Sequence, residues 1–201
     1  MGCSSVYCGS TGISLGIVRK FSYLLHMQAL YILLGAMAVL IPGLFIVSMF
    51  LPATVKVRRT RVIPASPSRL FEQVNVLRNW ERWSPWHQVD PTMQLKYNET
   101  SSGAGARYTW QSKHRQVGKG SMTITESRPD EFIATDMQFM EQGAAKASFR
   151  FEPVNNGTLV TWEVAMNMGQ RPVRKLMGLM MDKWVGKDFE RGLENLEKLV
   201  K

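Results

Sequence analysis

Twenty-five basic and 16 acidic residues give this 201-residue chain a formal charge of +9, but the acids are mixed among the bases. With no zinc-finger spacing, recognition-helix signature or glycine-arginine tail, nucleic-acid binding is excluded. Cys3 and Cys8 are the only cysteines, so no disulfide framework holds the rest of the chain.

The length fits one domain and an appendage, and the charge is unevenly placed. Arg19 and Lys20 are the only charged residues before Lys56, and the 23 basic and 16 acidic residues that follow leave a net +7, compatible with anionic headgroups nearby. The opening MGCSSV approaches a lipidation signal through Gly2 and Cys3, but Val6 stands where Ser or Thr is required. Residues 1–28 are read as an irregular tail, with Met27 the better start. Ala29–Leu51 is then free of charge, and 23 helical residues span about 34 Å, enough for a hydrocarbon core of about 30 Å. A cleaved export signal would have a shorter apolar region and a small-residue cleavage site, which Thr54 and Val55 do not make. The reading is a single membrane-spanning helix over 29–51, in which Gly35, Pro42 and Gly43 are tolerated. Lys56, Arg58, Arg59 and Arg61 outnumber Arg19 and Lys20, so the positive-inside rule places the C-terminal domain in the cytoplasm. The same four residues also alternate within a predicted strand.

That strand runs from Val55 to Ile63 and ends at Pro64. Pro67–Val76 predicts a short helix with Leu70, Phe71, Val74 and Leu77 on its apolar side. Trp80, Trp83 and Trp86 recur every three residues, a helical turn that Pro85 breaks. Three indoles so placed are either core or the wall of a cavity. Strands follow at 92–99, 106–111, 117–126, 132–140, 145–152 and 158–166, separated by glycine, proline and asparagine turns. The Asn155-Asn156-Gly157 turn is the strongest hairpin signal. Period-two alternation puts Met122 and Ile124 on one face; Ile133, Thr135, Met137 and Phe139; Ala145, Ala147, Phe149 and Phe151; and Val160, Trp162, Val164 and Met166. Pro172–Lys201 predicts one long helix whose apolar stripe is Val173, Met177, Met180 and Trp184, continued by Val185, Phe189, Leu193, Leu196 and Val200. Gly178, Gly186 and Gly192 each weaken it by about 1 kcal/mol relative to Ala, so packing against a broad apolar surface must hold it.

VKVRRTRVIPASPSRLF at 55–71, NWERWSPWHQVDPTM at 79–93, GAGARYTW at 103–110, VGKGSMTITE at 117–126, TLVTW at 158–162 and VGKDFERGLENL at 185–196 together resemble the START-like superfamily, also called helix-grip or Bet v 1-like. Within it they are most similar to a membrane-anchored bacterial subgroup labelled polyketide cyclase/dehydrase and lipid transport. The resemblance covers roughly 55–199. It implies an α+β helix-grip domain over 55–201, in which a curved antiparallel sheet of about seven strands surrounds a long C-terminal helix. It also implies an apolar or amphipathic ligand between sheet and helix, with catalysis in only some members.

The residues add little chemistry to that expectation. The glycines at 103–105 and 118–120 lack a strand–loop–helix setting and read as turns rather than nucleotide loops. His26, His87 and His114 lie apart without carboxylates at ligand spacing, so neither metal nor cofactor is expected. Ser84, His87 and Asp90 follow one another at intervals of three, but no elbow motif surrounds Ser84, and both Ser84 and Asp90 suit turns beside prolines. Were there a reaction, His87 would carry the proton, with Asp90 or Glu163 as its partner. The leading expectation is a membrane-anchored binder or carrier of a lipid or other hydrophobic small molecule. Its pocket would be lined by Trp83, Trp86, Tyr108, Trp110, Met122, Met137, Phe139, Phe149, Trp162, Met177 and Met180. The alternatives are a cyclase- or hydrolase-like enzyme using the same cavity, and a co-chaperone-like interaction module with a filled core and an exposed patch.

Overall fold

Seven antiparallel strands form one sheet in the order β1-β7-β6-β5-β4-β3-β2, and one long C-terminal helix packs against it. The computed structural model describes residues 11–140 and 143–201. The chain divides into two units after Phe50. Before that point lies a single helix, α1 (Thr11–Phe50), uninterrupted by proline until Pro42. Residues 11–28 are thus helical rather than an irregular tail, whereas the lipidation-like opening lies outside the described residues. His26–Phe50 is long and apolar enough to cross a membrane, and every side chain from 26 to 47 is exposed.

The second unit opens with β1 (Thr54–Ile63), in which Val57 and Ile63 are buried, followed by α2 (Pro67–Asn75). Proline at the first position and Ser66, whose hydroxyl accepts the Arg69 N–H at 3.4 Å, start this helix. Its far end is finished by tryptophan. Trp80 Nε1 donates to the Val74 carbonyl at 2.8 Å and Trp83 Nε1 to that of Gln73 at 3.1 Å, occupying carbonyls that a helix end leaves open. These bonds fix α3 (Trp80–Trp83), and Pro85 then starts the separate turn α4 (Pro85–Val89).

The remaining strands are β2 (Gln94–Tyr97), β3 (Arg107–Gln111), β4 (Lys119–Arg128), β5 (Phe132–Phe139), β6 (Gly143–Val154) and β7 (Gly157–Asn167). Their inner faces are those the alternation predicts. Register then sorts the inner face into rows. One row reads Ile133, Phe149, Trp162 across β5, β6 and β7. Two rows on, past Thr135, Ala147 and Val164, stand Tyr108, Met122, Met137, Ala145 and Met166 from β3 to β7. In the first row the Trp162 ring stacks on Phe149 at 4.8 Å and on Phe189 of the C-terminal helix at 3.9 Å, making the solid part of the core with Trp80 and Trp83.

That helix, α5 (Pro172–Val200), meets the sheet through its glycines. A methyl group at Gly178 would stand 2.7 Å from Val55, and one at Gly192 would stand 2.7 Å from the Trp162 ring. Gly186 leaves space for Arg59, which crosses from β1 to Asp182 at 2.8 Å and Glu190 at 2.7 Å. Arg61 reaches Glu197 at 2.5 Å. The second half of the expected stripe is buried through Phe189, Leu193, Leu196 and Val200. The first half is not: Val173 is 69% exposed and Trp184 48%, with Met177 and Met180 also outward. The inward side there is Gly178, Met181 and Val185, because a close helix contact is made by small residues that a search for large apolar side chains passes over.

Candidate functional site

Between α5 and the sheet row through Met137 and Met166 the packing leaves a cavity of about 190 Å³. Its floor is that row, Tyr108, Met122, Met137, Ala145 and Met166, extended by Trp110, Phe139 and Val164. Alanine in the middle of the row makes the depression: at position 145 β6 presents a single methyl group between Met137 and Met166. The helix wall is Met181, Val185, Asp188 and Phe189, and the end wall is Trp80, Ser84, Trp86 and His87, with Met93, Gln116 and Val117 at the rim. Five methionines line this space, and their unbranched chains adapt to irregular shapes. A larger groove of about 730 Å³ beside β2–β4 is more open and bordered by Gln94, Lys96, Arg107, Lys119 and Gln138, a polar surface without the enclosure that desolvates an apolar ligand.

Local bonds hold the aromatic walls. Trp110 donates Nε1 to the Val117 carbonyl at 3.1 Å and lies over Gly120, where any Cβ would strike its ring. Trp86 meets Trp162 edge-on at 5.9 Å and Phe189 at 6.4 Å. The few titratable groups respond to the dry surroundings. Burial lowers His87 below the ordinary histidine range, only partly opposed by Glu81, and leaves the imidazole neutral near pH 7. Burial likewise raises the Tyr108 phenol, and it raises the Asp188 carboxyl against the opposing pull of Arg191.

Of the side chains expected at a pocket, Trp86, Tyr108, Trp110, Met122, Met137 and Phe139 line the cavity. Phe149 and Trp162 are fully enclosed core two rows away, Trp83 is enclosed core on α3, and Met177 and Met180 lie on the outward side of α5. His87 lines the cavity without its expected partners. Asp90 accepts hydrogen bonds from the Ser112 hydroxyl and from the Thr92 hydroxyl (2.6 Å) and N–H (3.0 Å), an arrangement that builds the turn before β2. Glu163 sits between Trp162 and Val164 on β7, so it points to the opposite face, 4.0 Å from Arg58. Sequence reasoning missed Met166, Val164 and Ala145 as lining, although it put them on the correct face. It also left out Val185, which it had put on the inward stripe of α5, and missed Met181 and Asp188, which the corrected phase of the helix's first half brings inward. Among the described residues no group of three His, Cys, Asp or Glu side chains is placed to hold a metal ion.

Residues 54–201 match the model of the family described as polyketide cyclase / dehydrase and lipid transport. No curated protein sequence matches the chain. Among solved structures, a protein from Chromobacterium violaceum is 18% identical with a TM-score of 0.52, covering 72% of this chain and 96% of that one. A Staphylococcus aureus protein of unknown function is 12% identical with a TM-score of 0.53, over 72% and 94% of the two chains. The Aha1 dimer from Colwellia psychrerythraea is 16% identical with a TM-score of 0.50, over 73% and 96%. At these identities the likeness is one of fold.

Proposed function

Because the chain belongs to the polyketide cyclase / dehydrase and lipid transport family, a helix-grip family of the START-like superfamily, we propose that residues 55–201 bind a lipid or other hydrophobic small molecule between α5 and the sheet. The helix ending at Phe50 holds that domain to a membrane as a single-pass anchor, with the domain on the cytoplasmic side. The observation carrying this reading is the cavity of about 190 Å³ with its methionine and aromatic lining. Its size is below the roughly 300–1,000 Å³ usual for drug-sized ligands. The ligand therefore enters as a compact ring or a short length of chain, or it displaces methionine side chains as it enters. Trp86, Tyr108, Trp110, Met122, Met137, Phe139 and Met181 are the side chains that touch it. Tethering keeps such a site beside the bilayer that supplies its ligand.

Native mass spectrometry of the detergent-solubilised full chain, with extraction and identification of copurifying lipids, tests the proposal. One hydrophobic molecule per chain is the expected result; a chain that carries none and takes up none from added lipid extract would overturn it. A second reading, a cyclase- or hydrolase-like reaction, has His87 in its favour as a buried imidazole facing the cavity. Binding is preferred because, among the described residues, no carboxylate bonds to that imidazole, whereas acid–base catalysis needs a positioned one.

A further inference from the structure

The cavity lining is mostly apolar, with Asp188 on the helix wall and Gln116 at the rim, and at the α4 end two buried polar side chains are left over. Ser84 is 1% exposed and His87 is 9% exposed, and both line the space. The Ser84 hydroxyl and both ring nitrogens of His87 have no hydrogen-bond partner among the described residues. Ser84 stands at the N-cap position of α4, where serine commonly accepts a backbone N–H, yet its side chain makes no capping bond. His87 follows it three positions on, so the turn of α4 carries both on the same side, and both line the cavity. Trp80 and Tyr108 flank the pair, and the His87 and Tyr108 rings lie 6.5 Å apart. Buried hydroxyls and imidazoles are normally satisfied, and leaving them unpaired costs free energy.

Resting on the reading of the cavity as a ligand site, we infer that the ligand is a neutral amphipath, an alcohol, phenol or ketone on an apolar ring or short chain, whose oxygen seats between Ser84 and His87. The chemistry of the two groups selects this class. A neutral imidazole offers one donor and one acceptor, and a serine hydroxyl offers both, so a hydroxyl or carbonyl finds a complement at the same point. His87 is held neutral by its burial, which keeps that donor–acceptor pair available near pH 7. A pure hydrocarbon leaves all three atoms unpaired. A carboxylate or phosphate fares worse, because among the described residues no Lys or Arg lines the cavity and Asp188 does. A site built to bond a ligand oxygen rejects the analogue that lacks it far more strongly than a purely apolar site rejects one missing methylene.

Three matched probes separate the possibilities: 4-butylphenol, butylbenzene and 4-butylbenzoate. Each is measured by equilibrium dialysis against the full chain in phosphatidylcholine nanodiscs, with empty discs subtracted. The expected order is phenol above hydrocarbon by roughly tenfold or more, an order typical of one buried hydrogen bond to a ligand, with benzoate below the phenol. In Ser84→Ala and in His87→Phe the phenol-to-hydrocarbon ratio should fall toward one, and His87→Gln, which keeps a donor and an acceptor, should restore much of it. Ser84→Ala removes a single atom and covers the case in which His87→Phe does not fold. Equal binding of phenol and butylbenzene, or a preference unchanged by Ser84→Ala and His87→Phe, overturns the inference while the cavity reading stands. Benzoate binding best overturns the neutral class. Failure of all three probes to bind, with the chain folded, counts against the cavity as a ligand site at all.

Discussion

At Gly192 an added methyl group would stand 2.7 Å from the Trp162 ring and 3.2 Å from Pro85, and Trp162 cannot yield because Phe149 and Phe189 clamp its two faces. Replacing glycine by alanine in a helix ordinarily gains about 1 kcal/mol, but overpacking of this kind costs about 1–3 kcal/mol. Gly192→Ala is therefore expected to lower the melting temperature of the detergent-solubilised chain, and a rise would show that the ring can move. Trp83 and Trp86 separate core from cavity in the same way. Trp83 is fully buried and its indole is bonded, so Trp83→Ala should cost about 3–5 kcal/mol. Trp86 is half-buried at the cavity wall, and its loss should impair ligand uptake with a smaller change in melting temperature. His87 adds a pH dependence whose sign follows from its lowered pKa. The unfolded chain takes up a proton near the ordinary value of 6.5 while the folded chain does not, so stability falls as pH drops below that value and is regained above it. Asp188, raised by burial, acts in the opposite sense over the acid range. Comparing His87→Phe with the parent chain isolates the histidine: its melting profile should be flatter between about pH 5 and pH 7. Ser84, His87 and Asp90 are spaced like a relay, but Asp90 reads as a turn residue before Pro91, and the structure bonds it to Thr92 and Ser112 in that turn.

On the strands, alternation was enough to name the inner face, because side chains along a strand point to opposite sides with a period of two. It could not say how far along the strand a residue falls on that face. Met137 and Ile133 share a face of β5, yet they are four residues apart, about 13 Å at strand rise. One lies over the cavity and the other in solid core. That is why Phe149 and Trp162 were read as lining while Ala145 and Met166 were passed over: the difference lives in cross-strand register, which is fixed by successive strand pairings rather than by any one strand. In the first half of α5 the fault was in phase. There Val173, Met177, Met180 and Trp184 form a stripe on the outer side, and the contact runs through Gly178, which carries no hydrophobic signal, whereas Phe189, Leu193, Leu196 and Val200 are buried as expected. The corrected phase separates two adjacent methionines. Met180 is exposed and Met181 faces the cavity. Met180→Lys should stay within about 0.5 kcal/mol of the parent, as surface changes do. Met181→Lys puts an unpaired ammonium beside the methionines and should lower the melting temperature clearly and abolish ligand uptake. Equal effects of the two substitutions would mean that the helix is rotated from this position.

The whole chain joins two units of opposite character through a short connection: α1 ends at Phe50 and β1 starts at Thr54. Composition made the apolar helix legible, since a charge-free run of that length has few other uses, whereas the helical course of residues 11–28 carried no comparable signal. Of the four basic residues that argued for a cytoplasmic domain, Arg59 and Arg61 reach carboxylates of α5, so the fold alone accounts for their positions. This makes β1 part of the domain's integrity. It pairs with β7 from Thr54↔Asn167 to Ile63↔Thr158, buries Val57 and Ile63, and supplies the cations that meet Asp182, Glu190 and Glu197. Thr54 is therefore the boundary to test for an autonomous domain. A fragment of residues 54–201 keeps every strand, the aromatic core and α5, and should be soluble and melt in one cooperative transition. A fragment of residues 64–201 leaves β7 as a bare edge and three carboxylates without their arginines, and should aggregate. The full chain should remain in the membrane pellet after alkaline carbonate extraction. Recovery of the full chain in the supernatant would remove the anchor from the proposal. A 54–201 fragment without a cooperative transition would show that the grip needs α1 to fold.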